Sequence, residues 1–169
     1  MVLTKSELIG LLQNEVRILL HLATKIDRAQ LDYRPSPKQR STLELLRYLS
    51  MMGPTIIEYA KTNSQDFAFW TAAEKAANAR DFDQTLAAIA AQKDVYASVL
   101  GSMSDADFRA EVTSFDGSKS SRGAFIVNLV LGGCAAYRTQ LFLYLKACGR
   151  DDLGTTNLWV GVDAPPAKS

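Results

Sequence analysis

Residues 121–149 read SRGAFIVNLVLGGCAAYRTQLFLYLKACG. Phe125, Ile126, Val127, Leu129, Val130 and Leu131 make the first half apolar on nearly every side. A helix of that kind is either central in its fold or shared with a partner subunit, so a homodimer through this helix is expected. The stretch starts near Ser121 and stops at Gly149, a natural helix terminator. It predicts a helix of about 27 residues, roughly 40 Å long. Gly132 and Gly133 in its middle each cost about 1 kcal/mol in helix propensity. Another segment should therefore approach closely there. The most apolar run, Ala124 to Ala136, is interrupted by Asn128 and is shorter than the ~20 residues that span a bilayer. No membrane partner is expected.

Three further helices precede it. The first is predicted from about Lys5 to Ile26, opened by Thr4-Lys5-Ser6-Glu7 in the form of a capping box. Its stripe of Leu8, Leu11, Leu12, Leu19, Leu22 and Ile26 also contains Glu15, which the spacing places at the stripe's edge. Leu31 to Lys38 carries Pro35 and Pro37 and makes a stiff connection. The second helix opens on another capping box, Ser41-Thr42-Leu43-Glu44, and runs to about Lys61. Pro54 predicts a kink or break after Gly53. Residues 62–80, with Phe67, Phe69 and Trp70, read as a loop with a short helix that caps the bundle. Asp81, with Gln84 three residues on, caps an alanine-rich third helix to about Met103. Ser104 to Asp107 reads as a helical turn and Phe115 to Ser118 as a tight turn. No strand-rich segment stands out. Residues 150–169 are expected to lie on the bundle through Leu158, Trp159 and Val160, with the last few disordered.

The totals narrow the function classes. A chain of 169 residues suits one domain, here residues 1–149 with the tail 150–169. Nineteen basic and 18 acidic residues leave a net charge of +1 with no long basic run, so no nucleic-acid partner is expected. Cys134 and Cys148 stand 14 residues apart in one predicted helix, roughly 21 Å along its axis, too far to bridge. Free thiols and an N-terminus without a signal-peptide pattern predict a cytoplasmic protein.

Two stretches carry a family resemblance. One is Tyr33-Arg34-Pro35 followed by Arg40-Ser41-Thr42-Leu43-Glu44-Leu45-Leu46-Arg47-Tyr48-Leu49. The other is Gly133-Cys134-Ala135-Ala136-Tyr137-Arg138-Thr139-Gln140-Leu141, continuing to Tyr144-Leu145 and Gly149. Together they resemble the DinB/YfiT-like proteins, over about residues 5–149. The resemblance implies an all-α, left-handed four-helix bundle with an up-down-down-up order, short extra helices in its connections, and often a dimer. In that family three histidines hold a divalent metal such as zinc or nickel, and characterised relatives include thiol-dependent transferases. The metal histidines fall on Tyr48, Gly133 and Tyr137 of this chain. None is a histidine, and the chain has one histidine in total. Glycine offers no ligand, and a phenol that titrates near 10 is a poor one for zinc. No metal and no cofactor are therefore expected.

The candidate pocket residues are Tyr48, Tyr137, Gly133, Glu44, Arg138 and Cys134. The two phenols fill the space of two imidazoles, and Glu44 lies one turn from Tyr48. A ligand pocket with polar handles and a plugged site are both open at this point. Arg138 and Gln140 match the family's Arg-any-Gln pattern and are expected to tie helices together. Cys134 and Cys148 read as structural thiols, His21 as a core or boundary histidine, and Phe67, Phe69 and Trp70 as core packing or the floor of a ligand site. The leading expectation is a small-molecule binder or an inactive relative. The alternatives are a metal-independent transferase in the same cleft and a dimeric scaffold.

Overall fold

The computed structural model describes residues 3–165. Its helices are α1 (Lys5–Ala23), α2 (Thr42–Thr62), α3 (Ala68–Asn78), α4 (Phe82–Gly101), α5 (Asp105–Arg109) and a continuous α6 (Arg122–Ala147). Reciprocal capping boxes start α1 at Thr4 and Glu7, α2 at Ser41 and Glu44, and α4 at Asp81 and Gln84. Each box satisfies two amide donors that a helix start leaves unpaired. Ser121 caps α6 by accepting from the Ala124 amide.

Four helices form the bundle, and polar contacts fix their directions. Lys5 at the start of α1 donates to the Gly101 and Met103 carbonyls at the end of α4, so these two run antiparallel. The Gln92 amide of α4 donates to Leu49 O, and Arg47 donates to Arg80 O just before α4, so α2 and α4 run parallel. Tyr48 meets Tyr137, while Arg122 at the start of α6 donates to Ala60 near the end of α2; these are antiparallel. The order is up-down-down-up. Leu12, Leu22, Leu45, Leu46, Ile89, Leu100, Ile126 and Leu141 are fully buried between them, each contributing about 1.5–3 kcal/mol of burial.

Three features differ from the sequence reading. The α2 helix passes through Pro54 without a break, and Pro54 lines a surface groove together with Ala88 and Ala91 of α4. Tyr96 also packs on Gly53, where an added Cβ would overlap its hydroxyl. Residues Glu111–Thr113 (β1) and Lys119–Ser121 (β2) pair as an antiparallel hairpin, which brings Phe115 at its tip back over the bundle. Finally, α6 is long and apolar enough to cross a membrane by length and composition, at 26 residues with a mean hydropathy of 1.3 over its most apolar window. Here it is one wall of the bundle, and Arg138 in its middle is ion-paired inside the protein.

That pair also revises Glu15. It is not an edge residue: Glu15 Oε2 lies 3.3 Å from Arg138 Nε, with both side chains largely buried. Burial lifts the Glu15 carboxyl above the usual carboxylate range, and Arg138 pulls it partly back.

The chain after α6 folds back along α1; of the three expected contacts Leu158 is half-buried, while Trp159 and Val160 are 66% and 50% exposed, the Trp159 ring lying 5.8 Å from the Arg138 guanidinium. Leu153 and Asn157 are the buried anchors instead. Thr156–Val160 forms a π turn. The expected disorder of the final residues falls partly outside the described residues. Asn157 Nδ2 lies 3.1 Å from His21 Nε2, and Asp163 lies 3.7 Å from the same nitrogen. Burial first, then Lys25 and Arg17, lower the His21 pKa below 6.5, against the opposing pull of Asp163. The neutral ring is therefore the form the folded strap prefers. Its stabilising contribution is complete above pH 6.5 and is lost as the pH falls through the depressed folded value. Amides 157–163 are expected to gain less protection at about pH 5 than at about pH 7, after correction for intrinsic exchange. The difference should vanish in His21→Gln.

Candidate functional site

The α2 and α6 helices diverge around a cleft of about 620 Å³. From α2 it is lined by Tyr48, Met52 and Ile56, and from α6 by Asn128, Leu129, Gly133 and Tyr137. Tyr48, Met52 and Ile56 recur every fourth residue, as one face of an α-helix requires. So do Leu129, Gly133 and Tyr137 of α6, and Asn128, five residues before Gly133, is the exception. A π turn at Val127–Leu131 supplies the extra residue and puts both positions on the cleft. Such turns recur at functional sites. The remaining wall is aromatic. Phe67 and Trp70 come from the start of α3, and Phe115 from the hairpin.

The tyrosines meet edge to face, with centroids 5.1 Å apart and an interplanar angle of 69°. Burial, and then Tyr137, push the Tyr48 phenol up to about 12, so it stays protonated at neutral pH. Arg40 lies over the Tyr48 ring, 4.0 Å from its centroid, in a cation–π contact. Gly133 is bare backbone, and Met52 packs under it: a Cβ there would sit 3.2 Å from Met52 Cε and 3.3 Å from Sδ. This is the close approach the paired glycines required. Behind the aromatic wall, Tyr59 stacks on Phe67 at 5.9 Å and its hydroxyl donates to Thr113 O at 2.8 Å. Helix α2 is thus tied to the hairpin that carries Phe115.

Three of the six residues singled out from sequence line this cleft: Tyr48, Gly133 and Tyr137. Glu44 does not; it closes the capping box of α2, pairs with Arg34 at 3.2 Å and faces a separate recess with Arg40 and Glu74. Arg138 turns towards Glu15 on α1. Cys134 turns inward beside Tyr96, and burial, reinforced by Glu15, pushes its thiol up to about 12. It is a poor nucleophile there. Cys148 is likewise free and raised by burial. Phe67 and Trp70 belong to the cleft wall more than to the core, Phe67 being 41% exposed. Sequence reasoning missed Met52, Ile56, Phe115 and Leu129. Asn128 had a signal, as the one polar residue in the apolar run, but only the π turn aims it at Gly133's face.

The donor set does not suit a divalent metal. Among the described residues no three His, Cys, Asp or Glu side chains cluster. The cleft offers a high-pKa phenol, a second phenol, an amide and a thioether, none of them a usual zinc ligand. What it offers instead is hydrogen bonding at one end and aromatic surface elsewhere.

No family model and no curated protein matches the sequence. The crystal structure of a DinB-like protein, YjoA, from Bacillus subtilis superimposes with a TM-score of 0.66 at 15% identity, covering 87% of this chain and 94% of that one. Near-complete coverage of both chains, with the order of helices derived above, leads to one conclusion: the chain has the DinB-like fold.

Proposed function

We propose that this protein binds an organic small molecule in the Tyr48–Gly133–Tyr137 cleft and does so without a metal ion. The observation that carries the reading is the convergence of those three residues on one open cleft. The family resemblance assigns these positions to metal-binding imidazoles, and the side chains present are ones that a metal would not select. A volume of about 620 Å³ suits a small ligand, and mostly apolar walls with a few polar groups are usual for such sites. Catalysis has less support, because the lining contains no cysteine, histidine, lysine or carboxylate. The test is a fragment screen by ligand-observed NMR. Fragments that bind the native protein are expected to lose their signal in Gly133→Leu, and independently in Leu129→Trp. Each variant places bulk in the cleft. Binding that persists in both folded variants would overturn the reading.

A second reading concerns assembly. The α6 helix has a mean hydropathy of 1.3 over its most apolar window, yet only 22% of that window is buried, and Leu143 is 59% exposed. Such a face is best covered by another copy of the chain. A homodimer is expected by sedimentation equilibrium, with Leu143→Glu shifting it to monomer. A monomeric native protein would remove this reading and leave the cleft unaffected.

A further inference from the structure

Resting on the small-molecule reading, we infer that the ligand is an uncharged, flat aromatic compound bearing one hydrogen-bond acceptor, such as an aryl ketone. Its ring would lie over Gly133 and Met52, with the acceptor at the Tyr48 and Tyr137 hydroxyls.

Charge is decided by the lining. No ionisable acid or base other than the two phenols faces the cleft. An ion entering it would lose hydration and gain no counter-charge, which is strongly unfavourable. The nearest cation, Arg40, is stacked on the Tyr48 ring and belongs to the recess on the other side, with Glu44 and Glu74.

Shape is decided by the walls. Tyr48, Tyr137, Phe67, Trp70 and Phe115 are five of the ten lining residues. Trp70 stands edge-on to Phe115 at 6.1 Å, the same relation that Tyr48 has to Tyr137. Aromatic rings prefer offset-stacked and edge-to-face partners, and two perpendicular pairs leave a slot whose natural filler is another ring. Gly133 provides a patch without a side chain, where a flat face can reach the backbone. Met52 sulfur sits directly beneath it, and thioethers make favourable contacts with rings.

Polarity is decided by protons. Phenols that keep their protons at neutral pH are donors. The Tyr48 and Tyr137 hydroxyls hydrogen-bond one another, which leaves one proton of the pair to be given to a ligand in the cleft they line. The complement is an acceptor without its own charge. An aliphatic chain of the same volume would leave that donor unpaired, which is the costly outcome inside an apolar site.

Equilibrium dialysis at neutral pH with three probes of similar size tests this. They are 2-acetonaphthone, which is neutral with an acceptor, 2-naphthoate, which is anionic, and 2-ethylnaphthalene, which has no acceptor. The ketone is expected to bind at least about tenfold more tightly than either. The Tyr48→Phe/Tyr137→Phe double variant should equalise ketone and hydrocarbon, the ketone losing its partners and the hydrocarbon no longer leaving a buried donor unpaired. If naphthoate binds as well as the ketone or better, the assignment to neutral ligands is wrong, although the cleft remains a binding site. If the ketone's advantage survives in the double variant, the phenols are not the readers. If none of the probes binds and the fragment screen is also blank, both the ligand class and the small-molecule reading fall.

Discussion

Arg138→Met is expected to lower the unfolding free energy by about 3–5 kcal/mol, because it strands Glu15 as a buried charge without a partner. For a chain of this length, that corresponds to a fall of roughly 6–20 °C in melting temperature. Arg138 is 5% exposed and Glu15 is its ion-pair partner across the interface of α1 and α6. Glu15 Oε2 and Arg138 Nε make no hydrogen bond among the described residues, so the ion pair is the contact that answers the charge at these two atoms. The double replacement Glu15→Leu/Arg138→Met removes both charges from the apolar interior, and should recover most of the loss or exceed the native stability. The pH dependence gives an independent check. Burial already raises the Glu15 carboxyl, and losing the guanidinium raises it further. A carboxyl with a raised folded pKa opposes folding increasingly as the pH climbs from its unfolded value through the folded one. The penalty of Arg138→Met should therefore shrink as Glu15 protonates at acid pH. Urea denaturation of the native protein and the variants, across a pH series, measures all of this. A penalty that does not change with pH would mean that lost packing, not the stranded charge, is responsible.

The same pair shows where sequence reading stops. Helix starts were legible because capping is local: Thr4–Glu7, Ser41–Glu44 and Asp81–Gln84 are each complete within four residues. Apolar stripes placed α1 and α2, the Asp81 cap and alanine content placed α4, and an apolar run closed by Gly149 placed α6. Partners across the bundle were not legible. Glu15 and Arg138 are more than a hundred residues apart, and each alone resembles a boundary residue. The hairpin was missed because its two strands are three residues long and one is fully exposed, leaving too few positions for alternation. Pro54 was expected to kink or break α2 on local grounds, and the helix runs through it without a break. For the candidate site, Tyr48, Gly133 and Tyr137 followed from a motif resemblance. Glu44, Arg138 and Cys134 were grouped with them by proximity in sequence, yet helical rotation sends each to a different side. The aromatic wall depended on the hairpin and could not be assembled without it.

The second large effect is a gain. If Tyr48, Gly133 and Tyr137 occupy the positions of a metal-binding triad, then Tyr48→His/Gly133→His/Tyr137→His should create a zinc site where the native side chains offer no usual zinc ligand. Gly133 and Tyr137 are one helical turn apart on α6, and Tyr48 faces Tyr137 at 5.1 Å between ring centroids. Three imidazoles there would converge from two helices, leaving a fourth position open, as in catalytic zinc sites. The Met52 methyl and sulfur that an added Cβ at position 133 would meet lie at the end of a flexible side chain and can turn aside. Uptake should fall below about pH 6, as the imidazoles protonate.

Zinc titration of the native protein and the triple-histidine variant, side by side and monitored by competition with a chromophoric chelator, tests the convergence most directly. The expected result is about one equivalent held by the variant, with micromolar or tighter affinity, and none by the native chain. A native protein that takes up an equivalent tightly, or a folded variant that takes up none, would contradict it.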